Sequence, residues 1–254
     1  MRGSLLPLLL CACTLGACGS GSSGPDAGAD SGVPPEIYFS LQKGRCFEYT
    51  TADTVQSTPD LGVVVEETGN GSFAVPTSVI SYNTGSIAMK DYVAFDGSAM
   101  MLYKREFMGG KSYIYDPPLM RLQAPLKPGS TQQASAKVTI RDATGSVLVS
   151  SEPHDLRVDV FDKADVKLPV GQTVSASKLA FTETVTATGA SGARAEYRTF
   201  VPGDGSRTGA DGFVTINFNF ESDEGLSPLE YRLQKVRDLG DNPTQVIPPC
   251  GGIQ

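Results

Sequence analysis

The chain has 254 residues and a formal net charge of −7, from 21 Lys and Arg against 28 Asp and Glu. This acidic balance excludes a general nucleic-acid-binding surface, which needs a basic face. Gly and Pro number 28 and 17, charged residues make up only 19% and there is no Trp. Such a turn-rich composition disfavours long amphipathic helices.

Residues 1–17 are typical of a secretory signal. Arg2 supplies the positive start, and the apolar stretch from Leu5 to Leu15 follows it. That stretch is too short to span a hydrocarbon core, which needs about 20 residues. Pro7 further disfavours a spanning helix.

The end of this segment carries the most specific motif in the chain. Leu15-Gly16-Ala17-Cys18 resembles the lipobox of bacterial lipoproteins: an aliphatic residue, two small residues and a Cys. The resemblance implies a thioether-linked diacylglycerol on Cys18 and a membrane partner through that lipid, and Gly19 implies sorting to the outer membrane. The alternative is an ordinary signal that happens to contain a Cys.

A flexible tether follows the lipobox. Residues 19–35 (GSGSSGPDAGADSGVPP) contain almost no apolar side chains that could offset the entropy of ordering. We therefore expect a signal peptide at 1–17, a lipidated Cys and tether at 18–35, and a single β domain at 36–254.

Two of the five cysteines remain in that domain. Cys11 and Cys13 belong to the signal and Cys18 is the anchor, which leaves Cys46 and Cys250, 250 − 46 = 204 residues apart. An even number of cysteines in an oxidising compartment predicts one disulfide, which would hold the C-terminal tail against the first strand.

The body of the chain alternates apolar and polar residues and almost nowhere shows a helical period. Val214, Ile216, Phe218 and Phe220 give the clearest example. Period-2 alternation predicts strands with one buried and one wet face, which favours antiparallel pairing. The pattern predicts about thirteen strands, at 45–51, 61–67, 73–82, 89–95, 100–107, 112–115, 137–141, 146–150, 156–160, 174–186, 194–201, 214–220 and 229–234.

We expect an all-β fold, an antiparallel curved sheet or half-barrel with few or no long helices. A recurring L-x-x-G pattern, as at Leu41–Gly44 and Leu126–Gly129, raises the possibility of two similar halves. The Pro-rich stretch 116–129 would then be the best internal boundary.

The segment Leu41-Gln-Lys-Gly44-Arg-Cys46-Phe47-Glu48-Tyr49 resembles the opening of an uncharacterised family of bacterial lipoproteins, with Phe47 where that family usually has Trp. Pro117-Pro118-Leu119 and Phe200-Val201-Pro202-Gly203 resemble its later motifs. The resemblance implies a half-barrel similar to the periplasmic lipoprotein carriers, and it implies no firmly assigned activity.

The sequence contains few side chains that could form a catalytic site. His154 is the only His in the chain, and its neighbour Asp155 would point to the opposite face of a strand. We therefore expect His154 to be an exposed loop residue rather than a general base. One His and no free Cys argue against a His-based metal site, and we predict no cofactor.

An aromatic set accompanied by methionines is the remaining candidate for a site. Met and aromatic side chains form adaptable apolar surfaces, so this set could line a groove for a lipid or another apolar ligand. The alternative is an ordinary β core. The candidate groove residues are Met101, Tyr103, Phe107, Tyr113 and Tyr115.

The sequence as a whole favours a non-enzymatic lipoprotein of the outer membrane, facing the periplasm or the cell surface, with a binding or scaffolding role and an envelope protein as a candidate partner. A carrier of an apolar ligand is the alternative, and a hydrolase is the least favoured. A filled core would favour the scaffold, a deep Met- and Tyr-lined concavity the carrier, and a cleft joining His154 to carboxylates an enzyme.

Overall fold

The computed structural model describes residues 41–84, 87–96, 98–107, 109–187, 190–201, 212–219, 230–240 and 250. The regular elements of these residues are all strands. In chain order they are β1 (Arg45–Thr50), β2 (Leu61–Asn70), β3 (Thr77–Asn83), β4 (Ile87–Asp96), β5 (Ala99–Phe107), β6 (Ser112–Gln123), β7 (Thr131–Arg141), β8 (Val147–Lys167), β9 (Thr173–Ala187), β10 (Ala190–Val201), β11 (Gly212–Asn219) and β12 (Glu230–Asp238).

Each strand pairs antiparallel with its neighbours in the chain, and β1 also pairs with β12. The predicted all-β class and antiparallel curved sheet are confirmed. The curvature continues until β1 and β12 meet, so the described strands form one closed sheet. Closure pairs the two edges that an open sheet would leave free. The boundary expected at 116–129 falls partly inside β6.

Strand β8 is 21 residues long and joins two segments that the sequence predicts as separate strands. Pro153 lies between these two segments, and Pro is tolerated in a strand only at an edge or a bulge. The structure places a bulge just before it: Ser151 has φ 63°, and the register with β7 shifts between Val138 and Ile140.

Apolar side chains fill the inside of the closed sheet. Phe47, Leu61, Leu102 and Leu119 have no exposed surface, and Phe213 on β11 is 1% exposed. Burying a side chain of this size stabilises the fold by about 1.5–3 kcal/mol. The interior is therefore the hydrophobic core of the domain.

Strand β1 is buried on both faces, where simple alternation predicts one wet face. Phe47 points into the main core, and Cys46 on the opposite face packs with Val64, Leu239 and Cys250. The structure joins Cys46 to Cys250, the pair predicted from the sequence, with 6.3 Å between their Cα atoms. The disulfide thus places Cys250 against the outer face of β1.

Candidate functional site: a buried polar cluster

Seven polar side chains meet inside the sheet and are termed here the interior polar cluster. Six of them are at most 5% exposed, and the side chain of the seventh, Glu152, is 9% exposed. They lie on β4, β5, β6, β8 and β9, in phase with the apolar residues of those strands. The cluster comprises Asp91, Arg105, Tyr115, Arg121, Glu152, His154 and Glu183.

Asp91 and Arg105 form the first ion pair of the cluster. They are directly opposite each other on β4 and β5, so their side chains share the inner face. Arg105 donates from Nε to one carboxylate oxygen at 2.6 Å and from Nη2 to the other at 2.8 Å. Burial alone would lower the pKa of Arg105, but the charge and hydrogen bonds of Asp91 raise it well above its ordinary value. Arg105 therefore stays charged.

His154 lies between two carboxylates. Nδ1 donates to Glu183 Oε1 at 2.6 Å, and Nε2 donates to Glu152 Oε2 at 2.9 Å. Donation from both ring nitrogens requires the protonated imidazolium form. Burial acts to lower the pKa of His154, but the hydrogen bonds and charges of the two glutamates raise it above 6.5. The side chains of Tyr113 and Tyr115 meet the imidazole edge-on, with ring centroids 5.8 and 6.0 Å away.

Glu183 interacts both with His154 and with the two arginines of the cluster. Its burial would raise the pKa of a carboxyl group, but the hydrogen bond from His154 and the charges of Arg105 and Arg121 lower it to about 2. Glu183 is therefore ionised throughout the neutral range, and its negative charge balances the neighbouring cations in the interior.

Arg121 enters the interior from a bulge. Met100 pairs with Leu122 and Met101 pairs with Met120, so Arg121 is an extra residue on β6. Bulges redirect side chains in this way. The Arg121 guanidinium lies 5.0 Å from the centroid of the Phe181 ring, and both burial and the charge of Arg105 lower its pKa.

The Tyr115 hydroxyl is buried and makes no hydrogen bond with the described residues. Burial, and then the charge of Glu183, raise its pKa well above the ordinary value, so it remains a neutral phenol. Leaving such a hydroxyl unsatisfied costs about 1–3 kcal/mol. The stability of the surrounding core has to offset this cost.

The cluster is electrically balanced. With His154 protonated it holds three cations and three anions, and the acidic members each have a named partner at 2.6–2.9 Å. A general base needs a free lone pair and access to substrate. His154 has neither in this arrangement, because both nitrogens donate and only 1% of the residue is exposed. The chemistry that the geometry supports is mutual neutralisation of buried charge.

A small cavity adjoins the cluster. Asp91 and Arg121 line it together with Met100 and Phe213, and it has room for roughly one water molecule. Its size and its two charged walls suit a polar occupant of that size rather than an acyl chain.

The residues predicted to line a ligand groove divide between the two faces of the sheet. Phe107, Tyr113 and Tyr115 are buried inside, and the rings of Phe107 and Tyr113 meet edge-on at 4.9 Å. Met101 and Tyr103 are half-buried on the outer face, where the ring of Tyr103 packs against that of Phe73 with 5.4 Å between the ring centroids. The register shift between Leu102 and Lys104 changes the phase of β5 and causes this division.

The expectation that His154 is an exposed loop residue is wrong, because β8 continues through it and turns it inward. The other half of that reasoning holds: Asp155 points outward and accepts from the Ser135 hydroxyl at 2.6 Å. The missed signal was the phase of β8. Counting back in steps of two from Leu156 puts His154 and Glu152 on the apolar face.

The predicted lipidation site, Cys18, and the tether lie outside the described residues. In the ranges that are described, no group of three or more His, Cys, Asp or Glu side chains could hold a metal ion. None of the described elements is a helix with the length and apolarity needed to cross a membrane.

Comparisons with known proteins give distant structural likenesses. One solved structure is a provisionally assigned exported protein with a YmcC-like fold from Bacteroides fragilis, at 12% identity and a TM-score of 0.40, covering 77% of this chain and 96% of that one. Another is a provisionally assigned lipoprotein from Parabacteroides distasonis, at 11% identity and a TM-score of 0.39, covering 79% and 98%. At these values the likeness assigns neither a function nor a location. No family model and no curated protein matches this chain.

Proposed function

We propose that this chain is a bacterial envelope lipoprotein, held to the outer membrane by fatty chains on Cys18, whose β domain has a non-catalytic binding or scaffolding role. The segment 19–35 serves as the tether, and the domain faces the periplasm or the cell surface. The proposal combines the lipobox resemblance at Leu15–Cys18 with the chemistry of the domain.

The location is supported by the link between Cys46 and Cys250. Disulfides form and persist in oxidising compartments such as the bacterial periplasm, and are rare in the cytosol. This one closes 204 residues of chain and is buried at both cysteines. Secretion is the physical condition under which such a long-range bond forms and is kept.

The non-catalytic role rests on one observation, the sealed and charge-balanced interior polar cluster. The single His is bound at both nitrogens, and the ion pair of Asp91 and Arg105 is bidentate. Groups already paired with each other make a rigid core and leave outer surfaces for contact with partners. The cavity beside Met100 is smaller than an acyl chain and so lends the carrier alternative no support.

The anchor is tested by expressing the full chain in a Gram-negative bacterium fed an alkyne analogue of palmitate. We expect label on the unaltered protein, and a mature chain that begins at Cys18. Cys18→Ser should lose the label and the processing, while Cys13→Ser, five residues upstream, should keep both. Label that survives Cys18→Ser, or a mature chain beginning elsewhere, contradicts the proposed anchor.

The role of the domain is tested on the protein purified from its native envelope. Lipid extraction and mass spectrometry should find no apolar ligand at one molecule per chain beyond the attached fatty chains. Stoichiometric recovery of such a ligand would replace the scaffold with the carrier.

A further inference from the structure

The hairpin formed by β7 and β8 ends in an exposed apolar segment. Val147, Leu148 and Val149 are 49%, 58% and 40% exposed, so three consecutive aliphatic residues leave about half of their surface open to solvent. Contiguous exposed apolar surface on a strand marks a site of association.

One side of this segment has no strand partner among the described residues. On the β7 side, Arg141 pairs with Val147 and Ile140 with Val149. On the β9 side, pairing with β8 begins only at Val185 opposite His154. Among the described residues, the backbone between Val147 and Pro153 therefore has no strand on this side, and an open edge of this kind templates the addition of another strand.

The turn between β7 and β8 orders the start of this edge. Asp142 Oδ1 accepts from the backbone N–H groups of Thr144 at 2.9 Å and Ser146 at 3.0 Å, and Arg141 donates to the Gly145 carbonyl oxygen at 2.7 Å. Gly145 supplies the positive φ of 84° that the turn needs. An ordered edge loses little further entropy on association, which favours binding.

The charge pattern indicates the partner. The chain carries a net charge of −7, so two copies repel each other over most of their surfaces. Residues 143–151 contain no charged side chain, so no like charges of two copies would meet directly within this segment. Antiparallel pairing of a strand edge with its own copy also satisfies a two-fold axis, the commonest symmetry of protein dimers.

We propose that the open edge of β8 around Val147–Ser150 is a self-association surface, where two copies of this chain pair antiparallel and continue one sheet into the next. The surface has defined ends. The turn at Asp142–Ser146 closes one, and the positive φ of Ser151 followed by Pro153 stops the ladder at the other. This limit allows a pair of chains and prevents an unlimited edge.

The test places a photo-cross-linking amino acid at Leu148 in the full chain, co-expressed with a second, differently tagged copy of the unaltered chain. The matched control carries the same group at Val170, which is 50% exposed in the turn between β8 and β9 at the other end of β8. We expect a cross-linked product that contains both tags from position 148 and not from position 170.

A Val149→Lys substitution in both copies should abolish that product, because it sets a charge against its own symmetry mate. Val149 is 40% exposed, so the fold should tolerate the lysine. An unchanged unfolding midpoint would show that the product is not lost through unfolding. Cross-linking at 148 only to other proteins, no product at 148, or equal self-products at both positions overturns the proposal. The readout is independent of Cys18 and of its lipid.

Discussion

His154 reaches Glu183 diagonally across two neighbouring strands. His154 is directly opposite Val185, and Glu183 is directly opposite Leu156, so the two charged residues are offset by one inward-facing position. Their 2.6 Å contact closes that offset. Because β8 and β9 are held together here by ionised side chains, the stability of this part of the sheet should depend on both residues and on pH.

The substitution Glu183→Gln should destabilise the protein by about 3–5 kcal/mol, the typical cost of removing one partner from a buried ion pair. It would leave the His154 imidazolium with Glu152 alone and deprive two buried arginines of a counter-charge. The measurement is the free energy of unfolding in denaturant. Asp155→Asn, on the outer face of β8, is the control. It should lower the free energy of unfolding by no more than about 0.5–1.5 kcal/mol, the contribution of one hydrogen bond. Equal losses for the two variants would contradict a special role of the interior cluster.

The pH dependence of stability should fall off on both sides. The folded pKa of His154 is raised above 6.5, so its contribution is complete below pH 6.5 and is lost as the pH rises through the raised value. The folded pKa of Glu183 is lowered from 4.5 to about 2, so its contribution is present above pH 4.5 and is lost as the pH falls towards 2.

One His makes this measurable by NMR, because a single set of imidazole signals reports the titration without assignment. We expect the folded protein to hold His154 protonated above pH 6.5, and His154→Gln to flatten the alkaline side of the stability curve. An imidazole that titrates at or below 6.5 in the folded state would show that the two glutamates do not hold the proton.

Removing the disulfide with Cys46→Ser and Cys250→Ser together should cost up to roughly 5 kcal/mol, since the bond restricts a 204-residue loop in the unfolded chain. A thiol reductant should lower the unfolding midpoint of the unaltered protein and leave the double variant unchanged. A double variant as stable as the parent would mean that the bond constrains nothing.

Gly44→Ala should be destabilising by clash as well as by conformation. Gly44 has φ 85°, and a Cβ there would overlap the backbone carbonyl oxygen of Gly240. The close approach also serves the hydrogen bond from the Leu239 N–H to the Gly44 carbonyl oxygen, 2.7 Å long. Gly240→Ala is the matched control, with φ 70° and open space around its Cβ position.

The control should lose only the roughly 1–2 kcal/mol of a left-handed residue, and Gly44→Ala clearly more, as measured by thermal or denaturant unfolding. If both variants lose the same amount, the backbones of β1 and the end of β12 are not as close as the structure places them.

Alternation alone predicts most of the strands, because period 2 is a local property of the chain. Val138 and Ile140, for example, are in β7 and buried as their phase requires. The same rule fails where a bulge changes the phase, as at Tyr103, and where Pro153 suggests a break that a bulge instead absorbs. Bulges depend on the partner strand, so a single sequence does not reveal them.

The alternation of residues along the strands contains a signal for the interior polar cluster, which the overall composition does not show. Asp91 lies in phase between Met89 and Val93, and Glu183 follows Phe181 by two positions, so both are charged residues on an apolar face. The phase predicts burial of each one. It does not say which cation meets which anion, because Arg105 and Asp91 are 14 residues apart and His154 and Glu183 are 29 apart.

By itself the sequence determined the class of fold, the pairing of the two remaining cysteines and the alternation of the strands, since each of these depends on local pattern or on elimination. Only the tertiary structure decided that β1 meets β12, that the chain's single His is buried between two carboxylates that raise its pKa, and that one edge of β8 has no strand partner among the described residues. Those outcomes are set by register and by closure of the sheet, which bring together residues that are distant in the chain and that no local period relates.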